Sequence, residues 1–330
     1  MRGMEKIKMT IDTALSLLKE SVRIAIIAHI MPDGDTIGSC LALADMLREG
    51  GKSVSLFCQD SPSATLGFLR GLTDFKREER MGQPYDLAIA VDCSDMERMG
   101  ICSAAFRNSR HTMNLDHHPG NTYFAQANYV DPKASATGEI VYRIAVRMPG
   151  TIGRYTAEAL YTAISTDSGR FSFSNTTSDT YRIVAELVDC GINVEEINDF
   201  LYQSYRVERI RLLSKALNSL TLYENGKVAL MTISREDLHE AGAKDSDTEN
   251  IVNYAKNIVG VQLGIFLREM PDGTTKASFR SKGDMDVNKL AGLFGGGGHN
   301  KASGANIATS LTEARNEILA AFHSRYKEWV

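Results

Sequence analysis

Apolar positions recur along this chain in several textures, and their order predicts the fold. Val22 to Ala28 is an almost unbroken run of β-branched and small apolar residues, as expected for a strand buried on both faces of a parallel sheet. From Thr36 to Gly50 the spacing becomes helical: Ile37, Cys40, Leu41, Ala44 and Leu47 fall on one stripe that ends at Gly50-Gly51. Together they make a strand-loop-helix unit. Ser53 to Cys58, Asp86 to Val91 and His111 to Leu115 predict further strands, while Thr137 to Val146, Tyr155 to Ser165 and Thr177 to Val188 predict helices. Strands alternating with helices define an open α/β sheet, whose ligands bind beyond the carboxyl ends of the strands.

The pattern then changes. Val194 to Leu222 reads as helical and rich in Arg and Glu, a connector. Leu220 to Tyr223 and Lys227 to Ile233 flank Glu-Asn-Gly, and Val261 to Arg268 and Thr275 to Arg280 flank Pro-Asp-Gly-Thr. Both pairs predict hairpins closed by Asn-Gly or Asp-Gly turns. The expected organisation is a parallel-sheet domain over 1–190, a helical connector over 191–219, and a smaller mixed α/β domain over 220–330.

At 330 residues the chain has room for two cores. A net charge of −4 leaves no broad attraction for long nucleic acid, so an anionic substrate must be caught locally. No stretch reads as a membrane span, and residues 1–9 read as a charged helix without the features of a signal peptide, which points to the cytoplasm. Cys40, Cys58, Cys93, Cys102 and Cys190 are odd in number, scattered and free of Cys-x-x-Cys, against a disulfide scaffold or zinc ribbon. Cys93 as a phosphatase nucleophile would want arginine six residues on, where the chain has Met99.

Candidate chemistry gathers at the strand ends. His29, Asp33 and Asp35 follow the first strand, Asp92 ends Leu-Ala-Ile-Ala-Val, Asp116, His117 and His118 follow Thr-Met-Asn-Leu, and Asp167 closes Ala-Ile-Ser-Thr-Asp. Pro32 and Gly34 make the first of these a sharp loop rather than a helix. Asp33 and Asp35 also suit a turn and a helix cap. A fold gains nothing, however, from collecting so many carboxylates and imidazoles at one sheet edge; cations offset their repulsion. The economical reading is a two-metal hydrolase. A mixed imidazole and carboxylate set favours Mn²⁺ over Mg²⁺, with Co²⁺ as a substitute.

His29-x-x-x-Asp33-x-Asp35, Val91-Asp92-x-Ser94-Asp95, Asp116-His117-His118 and Thr166-Asp167-Ser168-Gly169 resemble, in order, the motifs of the DHH phosphoesterase superfamily. Gly296 to Gly304 resembles the glycine-rich histidine motif of its DHHA1 domain, and the compact layout is similar to the nanoRNase and pAp phosphatase branch. Ser168 stands where relatives commonly have threonine. The resemblance implies two Mn²⁺ ions: His29 and Asp33 on one, Asp35, His117 and Asp167 on the other, Asp92 bridging. His118 would face the substrate phosphate, and Asp116 would orient the histidines from behind.

In the second domain the glycine run fits neither a Walker loop nor Gly-x-Gly-x-x-Gly. Its backbone at Gly297 and Gly298 could approach an anion, with His299, Lys301 and Ser303 as donors, and Arg280 is expected as a phosphate clamp. Phe171 and Phe173 are core residues by preference, base-stacking residues otherwise. The resemblance implies that this domain grips the nucleotide, with the active site in the cleft between domains. It also implies the substrates: short RNA oligonucleotides, cut to 5′-mononucleotides, and 3′-phosphoadenosine 5′-phosphate (pAp). The rivals are a cyclic- or linear-dinucleotide phosphodiesterase, a single-strand DNA exonuclease, a family II pyrophosphatase and an inactive nucleotide-binding module. The missing OB-like domain, the Gly296–Gly304 signature and the complete ligand set weigh against the last three. No membrane partner is expected, and the oligomeric state stays open, a homodimer included.

Overall fold

A computed structural model describes residues 7–8, 10–77 and 84–326. Two compact units part between Ser204 and Tyr205. In the first, β1 (Ile7–Lys8), β2 (Arg23–Ile27), β3 (Ser53–Phe57), β4 (Phe75–Lys76), β5 (Leu87–Val91), β6 (His111–Asp116) and β7 (Ala127–Val130) form a seven-stranded sheet of order β1-β7-β6-β5-β2-β3-β4. Every neighbouring pair is parallel. Its helices are α1 (Ile11–Glu20), α2 (Gly34–Glu49), α3 (Ser103–Arg107), α4 (Thr137–Ala145), α5 (Arg154–Asp167), α6 (Ser178–Asp189) and α7 (Val194–Asn198). Alternation sorts the sheet into two faces. Ile24, Ile26, Ile89 and Val91 pack with α2, α4 and α5, while Ala25, Ile27, Ala88 and Ala90 pack with Phe106 of α3 and Met99.

Strand order fixes where a site can form. From β2 the chain moves to β3 on one side, and from β5 it moves to β6 on the other, so the direction of winding reverses between β2 and β5. Loops leaving such neighbours diverge and open a crevice at the carboxyl edge. One helix contact narrows it. A Cβ on Gly38 of α2 would stand 2.3 Å from the Ala159 carbonyl oxygen of α5, and one on Gly34 would stand 2.5 Å from Thr166 Oγ1. Only bare backbone at these positions lets α2 and α5 approach so closely.

The second unit contains α8 (Val207–Asn218), β8 (Thr221–Tyr223), β9 (Val228–Ile233), α9 (Arg235–Ala241), α10 (Val252–Lys256), β10 (Leu263–Glu269), β11 (Thr275–Ser281), α11 (Val287–Gly292), β12 (Gly297–His299), β13 (Ala302–Ile307) and α12 (Leu311–Arg325). Its six-stranded sheet runs β12-β13-β11-β10-β9-β8, antiparallel except for β9 with β10. Both hairpins expected from their turns are present. The α/β class, with a parallel sheet first and a mixed sheet second, is as the patterning predicts.

Several expectations are corrected. The helical stretch 194–222 is broken: α7 runs into a π-type turn at Asp199–Gln203, and α8 starts after Arg206, whose backbone is extended. The charged helix expected at 1–9 lies mostly outside the described residues, and its Ile7–Lys8 pair forms β1 beside β7. Within the glycine run, Gly297 and Gly298 belong to the paired strand β12.

Candidate metal centre

Asp33 caps α2, its Oδ1 accepting from the Thr36 amide at 3.0 Å. The same oxygen lies 3.8 Å from His29 Nε2, so capping and facing the imidazole are not alternatives. Asp35 is buried in the first turn of α2. Its oxygens accept from the Thr137 and Gly138 amides at 2.7 and 2.9 Å and from Ser39 Oγ at 3.0 Å. The amino end of α4 thereby holds a carboxylate where its own amides lack partners. Asp92 leaves β5 with a left-handed φ of 60°, a conformation that costs an aspartate about 1–3 kcal/mol and marks functional positions. Thr36 Oγ1 and Thr137 Oγ1 donate to its two oxygens at 2.7 and 2.8 Å.

These side chains converge. His29, Asp33 and Asp92 form one group, Asp35, His117 and Asp167 a second, and Asp92, His117 and His118 a third; within each, the potential ligand atoms lie within 4.8 Å of one another. His29 Nε2 is 3.5 Å from one Asp92 oxygen and His117 Nε2 is 3.8 Å from the other, so Asp92 stands between the first two groups. Asp167 ends α5, where the helix dipole disfavours a carboxylate, and lies 3.3 Å from His117 Nε2.

The charges compensate one another. Burial opposes the His29 cation, yet Asp33 and Asp92 outweigh it and push the imidazole up to about 10. Burial likewise opposes the His118 cation, and Asp116 with Asp92 raises it to about 9. Burial raises Asp35, reinforced by Asp92, Asp167 and Asp33. Burial and neighbouring acids also raise Asp167, to about 6 against the pull of His117. Asp92 pays for its burial through the His29 hydrogen bond and the three imidazoles, which hold it well below the usual range. The donor set fits divalent ions held by His29, Asp33, Asp35, Asp92, His117 and Asp167, and such ions supply Lewis acidity and a lowered pKa to coordinated water.

A pH dependence follows. Below about 10 the metal-free His29 is protonated, and ligation requires it neutral. Metal binding at pH 7 should therefore release at least one proton, and affinity should rise as pH rises from 6 toward 8. Calorimetry in buffers of different ionisation enthalpy measures the release. A value near zero would remove His29 from the ligand set.

Asp116 takes a narrower place than expected, orienting one histidine rather than both. Asp116 is wholly buried, so it cannot meet substrate. It holds His118 Nδ1 at 2.7 Å and accepts from Asn121 Nδ2 at 2.5 Å. His117 turns its Nδ1 to the Ala134 carbonyl instead, at 3.2 Å. Sequence reasoning missed Thr36 and Thr137, which fix Asp92, and Arg98, whose Nη2 lies 3.1 Å from His29 Nδ1. Thr36 and Thr137 begin predicted helices, so their positions were readable and their shared target was not. Phe171 packs against Tyr161 and Tyr181, whereas Phe173 is 55 % exposed, its ring over Gly169.

In the second unit Arg280 is half-buried on β11 and donates to the Phe279 carbonyl. Gly297 and Gly298 pair with Gly304 and Ser303, and His299 pairs with Ala302. Ser303 is corrected: it is buried, and its hydroxyl donates to the Val287 carbonyl at 2.6 Å, which pins β13 to α11. Lys301 is likewise turned to the Gly283 and Met285 carbonyls.

Such a centre is that of a metal-dependent phosphoesterase. Residues 23–164 match the DHH family, N-terminal domain, and residues 225–328 match the DHHA1 domain. The chain is 30 % identical over 303 residues to the bifunctional oligoribonuclease and PAP phosphatase NrnA of Bacillus subtilis, covering 91 % of this chain and 93 % of that one. It is 24 % identical over 332 residues to the cyclic-di-AMP phosphodiesterase GdpP of Geobacillus thermodenitrificans, spanning 49 % of that protein. A solved exopolyphosphatase-related protein from Bacteroides fragilis superposes with a TM-score of 0.92 at 28 % identity, over 97 % of both chains. The chain belongs to the DHH–DHHA1 phosphoesterase family, and it is a hydrolase of phosphoester bonds. Among the described residues no helix is long and apolar enough to cross a membrane.

Proposed function

We propose that this chain is a Mn²⁺-dependent enzyme that removes 5′-mononucleotides from very short RNA oligomers and dephosphorylates pAp. The observation that carries the reading is the convergence of both acid–imidazole groups on Asp92, accompanied by His118 locked on Asp116. Its cation, raised to about 9, is a hydrogen-bond donor to a substrate phosphate at neutral pH. His29, Asp33, Asp35, Asp92, His117 and Asp167 hold the metals, and Thr36 and Thr137 keep both Asp92 oxygens in place. Arg280 and His299 of the second unit hold the nucleotide, so the first unit cuts and the second grips. The likeness to the Bacillus subtilis protein, at 30 % identity over most of both chains, supports this choice of substrates.

The test is purified protein with Mn²⁺ against pAp, a diadenylate, a 5-mer and a long single strand, with products resolved by chromatography. AMP should accumulate from pAp, the diadenylate and the 5-mer, and the long strand should persist. Cleavage of cyclic di-AMP in preference to all of these would replace this reading with the signalling phosphodiesterase.

A further inference from the structure

His118 has two carboxylates within reach of one nitrogen. Its Nδ1 lies 2.7 Å from Asp116 Oδ1 and 3.7 Å from Asp92 Oδ1. Both oxygens are acceptors, so Nδ1 carries a proton and gives it to one of them. The choice matters, because the same Asp92 oxygen stands 3.8 Å from His117 Nε2 and accepts from Thr137 Oγ1. An imidazole turned onto Asp92 would occupy the carboxylate that stands between the two acid–imidazole groups. Turned onto Asp116, it leaves that carboxylate alone.

Asn121 is the residue that holds Asp116 in place. Among the described residues the buried Asp116 carboxylate has two side-chain partners, His118 on Oδ1 and Asn121 Nδ2 on Oδ2 at 2.5 Å. The same Nδ2 lies 2.7 Å from Asn114 Oδ1 and 3.2 Å from the Cys93 carbonyl, and Asn121 Oδ1 accepts from the Tyr123 amide at 2.6 Å. Only one orientation of the side-chain amide suits these neighbours. A flipped group would set its oxygen against three oxygens and its nitrogen against an N–H. Asn114 is fixed in turn, its Nδ2 donating to the Ala90 and Cys93 carbonyls at 3.2 and 3.1 Å. Two buried asparagines thus tie the residue after Asp92 to the carboxylate behind His118. A buried carboxylate oxygen that loses its donor is left at a cost, and Asp116 would turn to recover one. The loop does not hang on this amide alone, since the Thr122 backbone N–H donates to the Ser94 carbonyl at 2.8 Å.

We propose that Asn121 is a positioning residue for hydrolysis: its amide holds Asp116 on His118 Nδ1, and so keeps His118 off Asp92 and aimed at the substrate phosphate. The inference rests on the reading of His118 as the group that meets that phosphate.

The discriminating variant is Asn121→Asp. It is nearly isosteric and keeps the acceptor for the Tyr123 amide, but it sets an acceptor where Asp116 needs a donor. Were Asn121 only a staple for its loop, Asn121→Asp would behave as the wild type. With Mn²⁺, Asn121→Asp and Asn121→Ala should each lower kcat for pAp about 10–100-fold, the scale of groups that stand behind the residues of a metal site. In a His118→Ala background either change should cost less than about a further twofold, because its effect passes through the imidazole. In metal-free protein the His118 Nδ1–H proton, assigned by its loss in His118→Ala, should give a sharp downfield NMR signal in the wild type that moves or vanishes in both variants. Circular dichroism checks the fold, and Asn121→Ala carries the comparison if Asn121→Asp does not fold. Wild-type kcat in Asn121→Asp, additive losses in the double variants, or an unchanged Nδ1–H signal would each overturn the proposal. If the wild type leaves pAp intact, the proposed function fails, and the NMR signal with the same set of variants on bis-p-nitrophenyl phosphate still decides the role of Asn121.

Discussion

Asp92→Asn should abolish hydrolysis of pAp and of short RNA alike, by well over the roughly 10–100-fold typical of groups that stand behind metal ligands. The carboxylate lies between His29 and His117, at 3.5 and 3.8 Å, and its oxygens are fixed by Thr36 and Thr137. Asparagine keeps the shape and the threonine contacts and removes the charge. The fold should survive, because the hydroxyls can rotate and the left-handed backbone that Asp92 adopts suits asparagine as well. In the metal-free variant the His29 imidazole should titrate below the value near 10 that Asp33 and Asp92 impose on it. Steady-state kinetics with saturating Mn²⁺, circular dichroism and a histidine NMR titration give the three readings. An Asp92→Asn protein with more than a few per cent of wild-type activity would show that Asp92 does not bridge the groups.

Removing divalent ions should silence the enzyme completely, and the order in which metals restore it reports the ligands. Imidazoles from His29 and His117 sit among four carboxylates of the two acid–imidazole groups. Mg²⁺ demands oxygen donors and gives up water reluctantly, whereas Mn²⁺ and Co²⁺ accept nitrogen readily. Mn²⁺ should therefore restore hydrolysis at a concentration at least about tenfold below that needed for Mg²⁺, with Co²⁺ close to Mn²⁺. Titrating each ion into chelator-treated protein, with metal content read by elemental analysis, settles the order. Equal rescue by Mg²⁺ at low concentration would count against histidine ligation.

The parts of the fold legible in the sequence were those where a local pattern fixes the answer. Val22 to Ala28 and Asp86 to Val91 are apolar runs short enough and β-branched enough to suit buried strands rather than helices, and a parallel sheet puts their ends on one edge, which is why His29, Asp92 and Asp116 could be grouped from the sequence. Short pieces escaped. β7 has four residues with a buried asparagine, Asn128, inside it, and β1 and β4 have two each; none is long enough to show a period. α12 buries Ala314, Ile318 and Phe322 one turn apart, yet its mixture of Ala, Glu and Arg masks the stripe. In the site, ligand types were readable from spacing, but contacts between distant segments were not. That the amino end of α4 closes on Asp35, or that Asp116 serves His118 and leaves His117 to a carbonyl, depends on how helices and loops pack. Ser303 was misplaced for a related reason, since alternation turns it toward α11 and Arg280 away from it.

The contact of α2 with α5 gives this active site a ruler made of missing atoms. Gly34 and Gly38 let one helix settle against the other, and each helix delivers an acid of the second group, Asp35 from α2 and Asp167 from the end of α5. Spacing between catalytic ligands is thus written into backbone separation rather than into the ligands themselves. A methyl group at either glycine would lengthen the ruler without touching a functional residue. Anyone re-tuning the centre for another metal could therefore adjust its width from Gly34 and Gly38, residues outside the two acid–imidazole groups.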